Sequence, residues 1–339
     1  MPEWLRLLWG TILLRPYVFS FLLVFLIAAG HHLGWRRTLT FVPIGYFLAW
    51  FSEFSSIHWG FPYGDYYYIP QTVGRELWVA GVPFMDSLSY VFLSYCSYAT
   101  ALFLLSPLAR CGGELFILET RKLRRSWRTL VLGAFLFMFL DIIIDPVALQ
   151  GYRWFLGQIY GYREAGIYFG VPMSNFYGWF LVGLLLVGAL QVLDRWSALE
   201  SLGPHPLRRI PGIGLLGPVL FVSVLVFNLS VTFWIGELLL GMVGVLLVGV
   251  FLVLGLFGSL HKLEYVTPAV VDHHLTSFPQ SRAALRLSPA RAGGADPGTM
   301  PTDPVPATLA KPSEFEPDGG QLSGNSAKGH GRKPPGPVS

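Results

Sequence analysis

Residues 128–146 read RTLVLGAFLFMFLDIIIDP. No charge interrupts the run between Arg128 and Asp141, and the apolar residues are continuous rather than alternating. An α-helix rises about 1.5 Å per residue, so a run of this length crosses a hydrocarbon core of about 30 Å. A transmembrane β-strand would instead alternate polar and apolar residues over about ten positions. The stretch therefore predicts a membrane-spanning helix.

Working outward, the same character recurs at 16–34, 38–55, 84–108, 174–193, 212–234 and 238–259. With 128–146 this predicts an all-α, polytopic membrane bundle of about seven helices. The block 38–55 is short and carries Glu53, and the last two blocks are split only by a turn at Gly236-Glu237. Composition agrees: 53% of the 339 residues are hydrophobic and 13% are charged, against about 25% charged in soluble domains. That excludes an ordinary soluble enzyme. A net charge of +4 makes nucleic acid an unsuitable partner. Two cysteines, Cys96 and Cys111, make neither a disulfide framework nor a thiolate metal site.

The start, MPEWLRLLWGTILLRPYVF, offers no small-residue cleavage site, so no cleaved signal peptide is expected. Residues 1–265 read as the transmembrane domain. From 266 to 339 the chain is rich in Pro, Gly, Ser and Ala without a periodic apolar face, and reads as a disordered tail ending in RKPPGPVS. Lys and Arg concentrate in two connections, with Arg110, Arg121, Lys122, Arg124 and Arg125 in one and Arg195, Arg208 and Arg209 in the other. Seven spans put Arg36, Arg37 and Lys262 on that same side, which is expected to be cytoplasmic in a multi-pass protein of the cell membrane.

Polar residues then stand out by their position. Asp141 and Asp145 are four apart and share a helix face. Carboxyls among Phe, Leu and Ile are costly in lipid, so they should face a protein interior. Two such groups close together repel as anions, and a shared proton relieves this, as general-acid chemistry on an apolar substrate requires. The plainer reading pairs Asp141 with an arginine and makes Asp145 a helix end before Pro146.

A second cluster, SEFSSIHWGFPYGDYYY at 52–68, holds Glu53, His58, Tyr63 and Asp65. It reads as a proton relay, a metal pair or simply a tyrosine-rich interfacial belt. A third, GVPFMDSLSYVFLSYCSY at 81–98, begins with Asp86 and carries Tyr90, Tyr95 and Tyr98, which either line a cavity or pack. The fourth, YFGVPMSNFYGWF at 168–180, holds Asn175 and Trp179. GVPF and GVPM each place a proline at the mouth of a helix, where the missing N–H costs nothing. Asn175 reads equally as a cap or as a substrate or water ligand.

The fragments HWGFPYGDYYY, GVPFMDSLSY, DIIIDPVALQGYRW and YFGVPMSNFYGW, in that order, resemble the integral-membrane carotenoid 1,2-hydratases, over about 40–260. The resemblance implies addition of water across the terminal C1–C2 double bond of a carotenoid ψ end group, giving a tertiary alcohol. It implies no metal and no organic cofactor. The partners implied are a carotenoid drawn from the bilayer and water, with other carotenoid-pathway membrane enzymes as neighbours. Carried onto this chain, the family's carboxylates and histidine fall at His58, Asp65, Asp141 and Asp145, and its asparagine at Asn175. Tyr90 stands where a tryptophan is expected.

Chemistry gives these residues roles. An isolated alkene is a poor base, so Asp141 or Asp145 serves as the acid that protonates C2, and His58 or Asp65 takes the proton released by water. Tyr90, Phe137 or Trp179 faces the cation at C1. Glu53, Tyr63, Asp86, Tyr90, Asn175 and Trp179 are expected to bind the substrate. The alternatives are a carotenoid end-group cyclase or other carotenoid-modifying enzyme, and a lipid or solute transporter built on broken helices.

Overall fold

A computed structural model describes residues 2–200, 206–264 and 266–288. The residues 289–339, which include RKPPGPVS, lie outside the described residues. All seven apolar blocks are helical. In chain order the helices are α1 (Glu3–Leu14), α2 (Pro16–His32), α3 (Trp35–Trp59), α4 (Phe84–Leu105), α5 (Arg121–Arg124), α6 (Trp127–Ala148), α7 (Met173–Arg195), α8 (Leu216–Trp234), α9 (Leu238–Glu264), α10 (Pro268–Ser277) and α11 (Arg282–Leu287).

Five helices, α4, α6, α7, α8 and α9, are each long and apolar enough to cross a membrane, and the count is six if α1 and α2, bent by 92° at their junction, are one broken span rather than a re-entrant loop. This is a multi-pass membrane protein, but the expected count of seven is not reproduced. The shortfall is α3. It has 25 residues, but Arg36, Arg37 and Glu53 and several serines lower its apolar character.

The α4 helix is the centre of the bundle. It contacts α2, α3, α6, α7 and α8, and 78% of its apolar window is buried against 22% for the peripheral α9. Hydroxyl side chains are tolerated there because they bond back to their own helix. Ser94 donates to the Val91 carbonyl, Ser97 to Leu93 and Thr100 to Cys96. Pro83 and Pro172 stand immediately before α4 and α7, as the repeated Gly-Val-Pro predicts. Pro146 does not break α6, which runs two residues further to Ala148.

Among the described residues strands occur only as short ribbons in the connections, so the all-α class holds. They are β1 (Tyr66–Tyr68), β2 (Trp78–Val79), β3 (Val82–Pro83), β4 (Leu108–Cys111), β5 (Glu114–Ile117) and β6 (Tyr160–Tyr162). Antiparallel pairing joins β2 to β3, β4 to β5, and β1 to the distant β6.

The two ends of the bundle differ. At one end Arg37, Arg124 and Arg125 surround Asp194, at 3.7, 3.4 and 2.8 Å. Glu119 there pairs with Arg124 at 2.7 Å and His32 at 3.1 Å, and Lys262 donates to the carbonyls of Phe103 and Leu104. The basic residues grouped by the sequence thus gather at one end. At the other end Arg15 and Glu76 form a buried pair at 3.1 Å, and Arg153 pairs with Glu237.

The described part of the expected tail is folded. In α10, His274 bonds the Glu119 carbonyl at 2.8 Å and the Ser281 hydroxyl at 3.0 Å. Just beyond, Arg282 grips both oxygens of Glu114. A small cluster of Ala109, Phe116, Leu118 and Ala283, flanked by Val270, Val271 and Leu287, packs this hairpin on β4–β5. Helices of ten and six residues are too short to imprint a readable period, so the boundary drawn at 265 falls before this hairpin.

Candidate active site

Helix α6 carries Asp141 and Asp145 toward α7, and Asn175 in the first turn of α7 meets both. Its side-chain amide donates to Asp141 Oδ2 at 2.6 Å and to Asp145 Oδ2 at 3.2 Å. All three residues are buried. Asn175 is therefore a bridge between carboxyls rather than a helix cap. Among the described residues no arginine pairs with either aspartate, so the plain ion-pair reading of Asp141 is not what the described residues show.

The remaining donors to Asp145 come from a ribbon. Strands β1 and β6 pair Tyr66 with Tyr162 and Tyr68 with Tyr160. Strand side chains alternate faces, so these four rings share the face turned to the cavity, and Tyr67 points out, exposed. Tyr160 donates to Asp145 Oδ1 and Tyr162 to Asp145 Oδ2 at 2.7 Å. On the opposite strand Tyr68 donates to Asp86 Oδ2 at 2.6 Å. Ser87 donates to Glu53 Oε2 at 2.5 Å.

These groups line one cavity of about 130 Å³. Glu53, Asp86, Asp141 and Asp145 all reach it, and among the described residues none of its lining side chains is basic. Asp145 has both oxygens occupied as acceptors. Asp141 differs, because its Oδ1 is buried with no hydrogen-bond partner. No three His, Cys, Asp or Glu among the described residues come together as a metal site.

Aromatic rings wall the Asp141 side. Trp179 stacks on Tyr90 with centroids 4.6 Å apart, and Phe137 lies 4.6 Å from the same indole. Tyr63 closes the box at 6.3 Å from Trp179, with its hydroxyl 2.9 Å from Ser52 Oγ. Gly178 makes this approach feasible. A Cβ there would sit 2.7 Å from the Pro62 carbonyl oxygen and 2.6 Å from the Tyr63 ring, so α7 packs directly on the 62–63 turn.

Of the residues singled out in the sequence, Glu53, Tyr63, Asp86, Tyr90, Asp141, Asp145, Asn175 and Trp179 come together at this cavity. His58 and Asp65 do not. His58 is exposed, its Nδ1 lies 2.8 Å from the Phe54 carbonyl oxygen, and its ring lies against Phe54. Asp65 is exposed beside Gly60. The reason is rotation: five helical residues turn the chain by about 140° from the nearest whole turn, so a buried Glu53 sends His58 outward. Tyr95 and Tyr98 also miss the cavity. Tyr95 pairs with His32 and Tyr98 donates to the Arg124 carbonyl, both toward the arginine end.

The sequence reading missed Tyr66, Tyr68, Tyr160 and Tyr162 as a set. The available signal was Tyr-x-Tyr spacing at 66–68 and 160–162, but pairing across more than ninety residues was not legible.

The carotenoid biosynthesis protein family matches residues 9–251, most of the chain. The chain belongs to that family. The match covers every residue that lines the cavity, so this carotenoid biosynthesis protein has its acid cluster within the shared region. Comparison with curated proteins and with solved structures gives no match.

Proposed function

We propose that the protein hydrates the terminal C1–C2 double bond of a carotenoid ψ end group. The observation that carries this reading is the asymmetric carboxyl pair: Asp141 with an unpartnered oxygen beside an aromatic box, and Asp145 held by three neutral donors. Asp141 gives its proton to C2, and the alkene electron pair forms the new C–H bond. The tertiary cation at C1 lies against Tyr90 and Trp179, whose rings stabilise positive charge, while Phe137 backs Trp179 from outside the cavity lining. Water attacks C1, Asp145 takes the proton that water loses, and exchange with solvent restores Asp141. The sum is alkene plus water giving a tertiary alcohol. His58 and Asp65 have no part in it, since they stand outside the cavity.

Cyclisation of the same end group starts with the same proton. A cyclase must keep water from its cation. Here four carboxyls and the tyrosine hydroxyls provide a wet lining, which favours hydration. Expression in a host that accumulates an acyclic carotenoid tests this. The expected product is heavier by one water, and Asp141→Asn lowers its formation about a thousandfold. A product of unchanged mass would support the cyclase, and full activity of Asp141→Asn would remove the acid.

A further inference from the structure

The cavity has a second limb, away from the aromatic box. Val18 and Phe21 of α2, Phe92 and Leu93 of α4, and Val224 and Phe227 of α8 line it without a charge. At about 130 Å³ the whole cavity takes one isoprenoid end and a little water. It cannot take a forty-carbon polyene, so the rest of the substrate has to leave through a wall.

The walls differ in what they offer. Above Asp145 and Asp86 lies the tyrosine ribbon, hydrogen-bonded to both carboxyls. Behind the aromatic box, α6 and α7 pack so closely that a Cβ on Gly183 would sit 3.0 Å from the Ala134 backbone. Between α2 and α8 the wall is closed mainly by aromatic rings. Tyr17 stacks on Phe227 at 5.3 Å, and Phe21 meets Phe227 edge-on at 5.6 Å. Tyr17, Phe21 and Phe227 line the cavity yet remain half-buried rather than buried. Their helix neighbours Leu23 and Val226 are exposed on the outer surface, which lipid covers in a membrane protein. Among the described residues no backbone hydrogen bond ties this seam, and ring contacts between two helices part by side-chain rotation.

We infer that the limb between α2 and α8 is the binding subsite for the conjugated polyene arm, with Tyr17, Phe21 and Phe227 as its lateral gate to the bilayer. The arm lies across the gate, and its end group reaches Asp141 through the limb. Flat rings suit a flat conjugated chain, and the lining there is uncharged, with the Asn228 amide bonded back to the Val224 carbonyl of its own helix. The inference rests on the carotenoid reading above, and it gives α8 a part in substrate binding.

Two measurements test it. In the first, Val224→Trp fills the limb from its side wall. Turnover is compared for a forty-carbon acyclic polyene and for a ten-carbon alkene with the same isopropylidene end. The ratio of long to short substrate turnover is expected to fall at least tenfold. An equal loss for both, or no change in the ratio, overturns the subsite. The second needs no turnover and a milder substitution. In a Cys111→Ser background, Phe227→Cys and Val226→Cys are labelled with a lipid-soluble maleimide, with and without the polyene. The polyene is expected to slow labelling at Phe227→Cys at least fivefold and to leave Val226→Cys unaffected. Equal protection at the two positions, or none, overturns the gate. If the wild type hydrates neither substrate while Phe227→Cys is protected, the hydration reading falls and the polyene subsite stands.

Discussion

Two clusters in the bundle bury carboxylates in opposite ways. At the arginine end, Asp194 has three guanidinium partners and Glu119 has Arg124 and His32. At the tyrosine end, four carboxyls share one cavity with no basic side chain in its lining, and their hydrogen bonds come from phenol, amide and serine hydroxyl groups. A buried carboxylate with a cation is a fixed strut, because removing either partner strands a charge. A carboxyl with neutral donors is free to gain and lose a proton. The first cluster holds helices together, and the second supplies the exchangeable protons that the proposed hydration needs.

The contrast breaks most sharply at Asp194. Asp194→Ala leaves Arg37, Arg124 and Arg125 without their shared acid, and about 3–5 kcal/mol of stability should go with it. Thermal unfolding in detergent measures the loss, while turnover per folded molecule stays near wild type. A variant that melts normally would refute the strut. The next effect is catalytic. Tyr160→Phe with Tyr162→Phe removes two donors from Asp145 and keeps the rings. Turnover should drop about a hundredfold with little change in melting. A large melting shift at unchanged turnover would make the ribbon structural only.

The smallest effect is a pH response at the arginine end. His274 in α10 has its imidazole held below its ordinary value of 6.5, by burial acting against the Glu119 carbonyl. Burial also opposes the charge of Glu119, but Arg124 and His32 outweigh it and hold that carboxyl well below the usual range. Both groups are perturbed downward, so both stabilise the fold fully above their unfolded values and lose that contribution as pH falls. The His274 part begins to go below about pH 6.5 and the Glu119 part in more acid solution. Hydrogen-exchange protection factors of α10 and α11, corrected for the intrinsic rate at each pH, should therefore be lower at pH 5 than at pH 7.5. Equal protection would show that the hairpin docks through its apolar cluster alone.

How much was legible follows from the range of each interaction. Asp141 and Asp145 were readable because four helical residues return nearly to the same face. Glu53 and His58 misled for the complementary reason: adjacency within one motif is not a shared face. The hairpin of α10 and α11 was hidden in a segment of low complexity, since its stability comes from Glu114 and Glu119 more than 150 residues earlier.

By itself the sequence determined the membrane bundle, since long apolar runs have no other stable form in lipid. It also determined which acids are out of place there, and which end of the molecule is basic. Only the tertiary structure decided that Asn175 joins the two aspartates and that tyrosines from two distant loops form one ribbon over Asp145. It also separated Tyr90 from Tyr95 and Tyr98. Those are contacts between elements far apart in the chain. No local period encodes them, because they exist only once the helices have packed around α4.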